Sequence, residues 1–185
     1  MREGFFDMSR TAVRNLTMSA LLAALTAVCA QIVVPLPFTP VFFSLAVLAV
    51  LLCGALLPPR WAAGAQLCYL LLGAAGLPVF GGFGAGPGVL AGPTGGYLLS
   101  YPLMALAAAL LVRAGWKSFP RRAAACALAL VPCHLLGAAW LSFSTGMTPQ
   151  AAFLAGSAPF LLPDLLKATL SAYLSLRVER ALSRP

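Results

Sequence analysis

The sequence predicts an all-α integral membrane protein: a single membrane domain over residues 1–185 with six transmembrane helices and both termini cytoplasmic. Three observations carry this. The chain is 61% hydrophobic and only 9% charged, with a mean hydropathy of +0.94, more apolar surface than a soluble domain of this length can bury. Three stretches lack any Asp, Glu, Lys or Arg: Asn15–Pro59, Trp61–Val112 and Ala123–Pro163. Each holds one or two spans of roughly 20 residues. The basic residues, finally, gather at the termini and in short loops.

The elements follow in order. Met1–Asn15 is a polar, basic flank with room for a short interfacial helix; three arginines and an acidic pair precede the apolar run, unlike a cleaved signal. The first span is Leu16–Val34, stopped by PLPFTP at Pro35–Pro40. The second, Val41–Leu57, ends at Pro58-Pro59-Arg60. The third, Trp61–Gly76, opens into a glycine-rich segment, and the fourth is Tyr97–Ala114. After the basic loop Gly115–Arg122 comes the fifth, Ala123–Phe143, with Pro132 as a kink. Ser144–Ser157 reads as an uncharged loop, and the sixth span is 158–176, its helix starting at Ala158 or Pro163.

Charge sets the orientation. With the N-terminus inside, Arg2, Arg10, Arg14, Arg60, Arg113, Lys117, Arg121, Arg122, Arg177, Arg180 and Arg184 all fall on the cytoplasmic side, and the outer loops hold no Lys or Arg. The net charge of +8 is therefore a topology signal in a cell membrane, not a nucleic-acid footprint. The five cysteines lie within apolar runs with no CxxC pair, so neither a disulfide framework nor a metal site is expected.

Asp164 and Lys167 stand three residues apart inside an apolar run, on one helix face and within mutual reach. Each charge alone would cost about 2.5–3.5 kcal/mol or more at a bilayer centre. With Pro163 at the first helical position, Asp164 would sit in the first turn, favoured by the helix dipole. The pair reads as a polar clamp: Asp accepts N–H groups and Lys donates to a carbonyl, suiting a neutral cyclic urea, an amide or a zwitterion. The competing reading is a structural ion pair, although buried pairs stabilise poorly.

Gly76–Tyr97 holds nine of the seventeen glycines and three prolines. Its apolar residues favour a segment folded back into the protein as a lid over a substrate. Phe83 and Tyr97 offer aromatic walls, Thr94 lies in the same segment as a candidate contact, and Gln31 offers an amide from the first span. Gly86–Ala91 formally matches GxGxxG/A without the strand that motif requires. No GxxxxGK[ST] occurs, so uphill movement of a solute would draw on an ion gradient or a partner. Ser19, Ala20, Ala23, Ala24 and Ala27 form a small-residue face on the first span, fit for internal packing or for docking another subunit. Cys133 and His134 are adjacent and point about 100° apart on a helix, so a buried histidine satisfied by a neighbour is expected. Ser142 and Ser144 are nucleophile candidates by position only.

Two segments carry a family resemblance. GAAGLPVFGGFGAGPGVLAGPTGGYLLSYPL (Gly73–Leu103) resembles the signature region of the BioY family, biotin-binding S components of energy-coupling-factor (ECF) vitamin transporters. PFLLPDLLKA (Pro159–Ala168) matches a second motif, departing from it at Pro163, where a glycine is common. The resemblance implies an S-component bundle that captures biotin from outside. A coupling subunit and two ATPase subunits would energise it, biotin being transported ligand and not cofactor. It further implies that Asp164 and Lys167 contact the biotin head group beneath the Gly76–Tyr97 loop, and that the face with Ala20 and Ala24 docks on the coupling subunit. Rival readings are an S component for another vitamin, a small intramembrane enzyme using Asp164 and His134, and a purely structural membrane subunit.

Overall fold

The computed structural model describes residues 2–37, 39–116 and 118–182. Lys117 and Arg184, counted above among the inside charges, and Phe38 of the Pro35–Pro40 loop lie outside them. Among the described residues the chain runs through α1 (Arg2–Gln31), the strands β1 (Val33–Val34) and β2 (Phe43–Ser44), α2 (Ala46–Leu56) and α3 (Pro59–Ala74). A 3-10 turn at Gly81–Phe83 precedes α4 (Pro87–Ala91) and α5 (Gly95–Arg113). Then come α6 (Phe119–Leu128), α7 (Leu130–Thr145), α8 (Pro149–Gly156) and α9 (Ala158–Leu182).

Proline and glycine punctuate this order. A proline sits in the first two positions of α3, α4, α6 and α8, where a missing N–H costs nothing. Gly146, at φ +73°, ends α7 in the left-handed conformation, and the Thr148 hydroxyl accepts from Ala151 N–H to start α8.

Several expected boundaries move. α1 begins at Arg2, not Leu16, so the polar flank continues the first helix. The second helix begins at Ala46, not Val41, because Phe43 and Ser44 pair with Val34 and Val33 in an antiparallel hairpin. The expected loop 144–157 contains α8. The fifth stretch breaks at Ala129, beside Leu128, whose carbonyl is the one that Pro132 leaves without a donor.

By length and composition three stretches among the described residues can cross a bilayer: Arg10–Gln31, Gly95–Arg113 and Phe119–Thr145. A fourth is added if α8 and α9, bent by 45°, act as one span. α2 is apolar but has only 11 residues, about 16 Å of helix, and α3 has 16 residues.

Small side chains let these helices approach closely. α5 packs on α2, α3 and α7, and α9 on α2 and α6, across Ala46, Val50, Ala105, Ala108, Ala168 and Ala172, all buried. A Cβ at Gly54 would lie 2.5 Å from the Ala105 carbonyl oxygen. Buried polar groups pair between helices: Gln66 Nε2 donates to Thr26 Oγ1 (3.1 Å), and Ser171 Oγ to Leu48 O (2.8 Å). Outward, leucines such as Leu21, Leu71, Leu110, Leu135 and Leu166 are exposed, an apolar belt that only lipid or a partner covers.

Candidate ligand-binding site

The bundle encloses a cavity of about 280 Å³, near the small end of the range for small-molecule sites. Its walls are Ala30 of α1, the hairpin from Val41 to Ser44, the start of α2, Tyr69 of α3, and Tyr97, Leu98 and Tyr101 of α5. Cys133 and His134 of α7, Gly156 of α8 and Phe160, Asp164 and Lys167 of α9 complete them. Gly81, Gly84, Val89 and Thr94 of the glycine-rich segment lie along one side.

The polar end is built by α9 and the hairpin. Asp164 and Lys167 are 4% and 6% exposed, and Lys167 Nζ donates to Asp164 Oδ1 at 2.8 Å. The same ammonium donates to the Ser44 carbonyl at 2.6 Å and stands 3.9 Å from the centre of the Phe43 ring, a cation–π contact. Strand β2 therefore supplies two of the three groups that hold the lysine. On the other side His134 Nε2 is 3.4 Å from Asp164 Oδ2, yet neither ring nitrogen has a hydrogen-bond partner among the described residues. The expected helix-dipole contribution is corrected: α9 starts at Ala158, so Asp164 lies beyond its first turn and Pro163 is interior. Lys167, with His134 nearby, holds the carboxylate instead.

The apolar end is aromatic. Tyr69 and Tyr101 stack at 6.2 Å, Phe80 meets Tyr69 edge-on at 5.7 Å, and Phe160 is buried. Tyr97 enters because α7 and α8 make room: a Cβ at Gly137 would strike its ring, and one at Gly156 its hydroxyl. Tyr97 Oη then pairs with Ser157 Oγ at 3.3 Å, and Ser157 Oγ donates to the His134 carbonyl at 3.3 Å.

Of the residues singled out in the sequence, Asp164, Lys167, Tyr97 and Thr94 meet in the cavity. Phe83 and Gln31 do not line it. Phe83 is 70% exposed with φ +61°, and its backbone N–H donates to Gln31 Oε1 at 2.8 Å. Gln31 Nε2 donates to the carbonyls of Ala27 (2.9 Å) and Val79 (3.2 Å). Its amide is thus engaged in fastening the glycine-rich segment to α1, away from the cavity lining. Tyr69 and Tyr101, within uncharged runs, gave no sequence signal of a shared site, whereas His134, paired with Asp164 in the enzyme reading, does line the cavity beside it. The small-residue face of α1 divides: Ser19 and Ala23 are buried, whereas Ala20 and Ala24 are exposed. Ser142 and Ser144 bond the carbonyls of Met147 and Leu141 and do not line the cavity. Among the described residues no group of three or more His, Cys, Asp or Glu is placed to hold a metal ion.

The model of the BioY family matches residues 4–184. The chain belongs to the BioY family. Among its BioY relatives, a probable biotin transporter of Pyrococcus horikoshii is 34% identical over 90% of this chain and 96% of its own. BioY2, a biotin transporter of Lactococcus lactis, is 36% identical over 95% and 96%. The BioY biotin transporter of Thermotoga maritima is 36% identical over 91% and 97%. The crystal structure of an S-component for biotin from an ECF-type ABC transporter superposes with a TM-score of 0.86 over 92% of this chain and 93% of that one, at 24% identity. The BioY bundle seen here therefore has an S-component fold.

The Gln31 anchor is directly testable. Gln31→Leu removes the acceptor of the Phe83 amide, so hydrogen exchange at Phe83 should accelerate about tenfold, as expected for one net hydrogen bond. Unchanged exchange at Phe83 would show that the segment is held by other contacts.

Proposed function

We propose that this BioY chain is the substrate-binding membrane subunit of a biotin uptake system. It captures biotin from outside the cell, catalyses nothing itself, and is energised by a separate module of a transmembrane coupling subunit and two ATPase subunits. In this reading residues 1–185 form one membrane domain with six crossings, α2 and α3 included, and both termini lie inside. Family membership and the names of the relatives support the ligand. The observation that carries it is the buried Asp164–Lys167 clamp at one end of an otherwise apolar cavity.

Biotin joins a neutral cyclic urea to an apolar thioether ring and an alkanoate chain. A carboxylate suits a urea N–H, and an ammonium suits its carbonyl. Tyr97, Tyr101 and Phe160 offer apolar walls to the remainder, and Thr94 adds a hydroxyl near the segment that would close over it. Phe83 and Gln31 act in this scheme through the closing segment and not by contact. An enzymatic role for Asp164 and His134 has little support, because the serines considered as nucleophiles, Ser142 and Ser144, do not line the cavity.

Titration calorimetry of the detergent-purified protein with biotin tests this. Asp164→Asn or Lys167→Ala should weaken binding at least tenfold, about 1.4 kcal/mol, for losing one partner of a buried polar contact. Wild-type affinity in either variant would refute the assignment, and a preference for thiamine or riboflavin would keep the fold and change the ligand. A bulky residue at Ala20 or Ala24, both on the exposed face of α1, should spare binding and reduce uptake in cells. Equal loss of both would assign those alanines to packing of the fold.

A further inference from the structure

The clamp as it stands is short of one acceptor for a cyclic urea. Such a ring presents two N–H donors and one carbonyl, and its N–H bonds diverge on either side of the ring, so one carboxylate does not accept both. Asp164 Oδ1 is already engaged by Lys167 Nζ at 2.8 Å, so the one ligand N–H that the carboxylate can reach falls to Oδ2, which has a second lone pair for a protein donor. The Ser44 carbonyl is also taken by Lys167, Tyr97 Oη is paired with Ser157, Tyr69 Oη donates to Val79 O, and Thr94 is a half-buried hydroxyl on the side of the glycine-rich segment.

His134 is the buried side chain left over. It lines the cavity at 6% exposure, and both its nitrogens are shielded from solvent without a hydrogen bond among the described residues. A buried polar group left so is costly, and a native structure that retains one needs a reason. Nε2 faces the free oxygen of Asp164 at 3.4 Å, near but poorly aligned. Hydrogen bonds in empty sites are often long and tighten once the ligand arrives.

We infer that His134 is a third, specificity-determining member of the head-group clamp. Its neutral ring directs Nε2–H to one lone pair of Asp164 Oδ2, whose other lone pair accepts the first ligand N–H, and Nδ1 accepts the second. The inference rests on the uptake reading above and adds a residue to that site. Neither nitrogen meets open space in the ligand-free conformation, so the ring turns about its Cβ–Cγ bond as the cavity fills, a torsion with a broad well. The ligand class follows: a ring with two divergent N–H donors flanking a carbonyl, in preference to one with a single donor.

The test uses His134→Phe, which keeps a ring and removes both nitrogens, and His134→Asn, which returns an amide oxygen near the place of Nδ1. Biotin and its two mono-N-methylated ureido analogues are titrated into each purified full-length protein, and the ligand-free proteins are melted. His134→Phe should bind biotin about tenfold more weakly, and His134→Asn should recover most of that loss. For one methylated isomer the preference for biotin should shrink by a similar factor in His134→Phe. The ligand-free His134→Phe protein should melt no lower than wild type, since an unpaired polar group has been removed. Wild-type affinity in His134→Phe would overturn the inference. So would weakened binding with a lowered melting temperature and unchanged preference over both isomers, which is the behaviour of a packing residue. A wild-type protein that does not bind biotin would refute the uptake reading itself, and this inference with it.

Discussion

A lysine ammonium and an aspartate carboxylate held within an apolar bundle are the constraint around which the other elements arrange. Either charge alone would be expensive at membrane depth, and even together they repay desolvation only when their remaining valences are met. Lys167 meets that condition through Asp164, the Ser44 carbonyl and the Phe43 ring. That requires β2 to pass close to α9, which explains why the chain leaves helical geometry between Val33 and Ser44. Further along, Ser171 Oγ on Leu48 O ties α9 to α2, and Ala168 and Ala172 keep the two helices close. The residues that position the clamp are thus the same ones that hold the bundle together there.

The glycine-rich segment along the cavity follows a different logic. It buries one large side chain, Phe80, with Val79, Val89 and Leu90 half-buried against the core, and before α5 its helical structure is a short 3-10 turn and a five-residue helix. It is held at discrete points: Gln31 on Val79 O and the Phe83 N–H, Tyr69 on Val79 O, and Trp140 Nε1 on Gly92 O at 2.9 Å. Segments fastened by a few hydrogen bonds open at low free-energy cost compared with packed helices. Gln31 ends the helix that also presents Ala20 and Ala24 outward, so the cover and the proposed docking face share one rigid element.

How much of this was legible in the sequence depended on the kind of signal. Asp164 and Lys167 stood out because charge in an apolar run is rare and expensive, and their i, i+3 spacing already implied contact. Tyr97 and Thr94 were found through the glycine-rich segment beside them. Gln31 and Phe83 were assigned to ligand contact from residue type; the fold uses the amide for backbone groups and turns the ring outward, which only the path of the chain decides. The hairpin was hidden because two-residue strands have no periodicity to read. His134 looked like an ordinary buried histidine, since nothing local tells that its ring nitrogens lack partners. The second helix begins later than Val41 because the hidden hairpin takes Phe43 and Ser44, and α3 begins two residues before Trp61, at Pro59, a residue suited to the first helical position.

In the uptake reading the buried pair is retained for the ligand and not for stability. Asp164→Leu together with Lys167→Leu removes both charges and leaves neither unpaired, and replacing a buried pair by apolar residues is often neutral or stabilising. The deciding measurement is the melting temperature of this double variant and of the wild type, each with and without saturating biotin. The double variant without biotin should melt at or above the wild-type temperature, and biotin should raise the melting temperature of the wild type alone. A double variant that is strongly destabilised, or one that biotin still stabilises as it does the wild type, would contradict that reading.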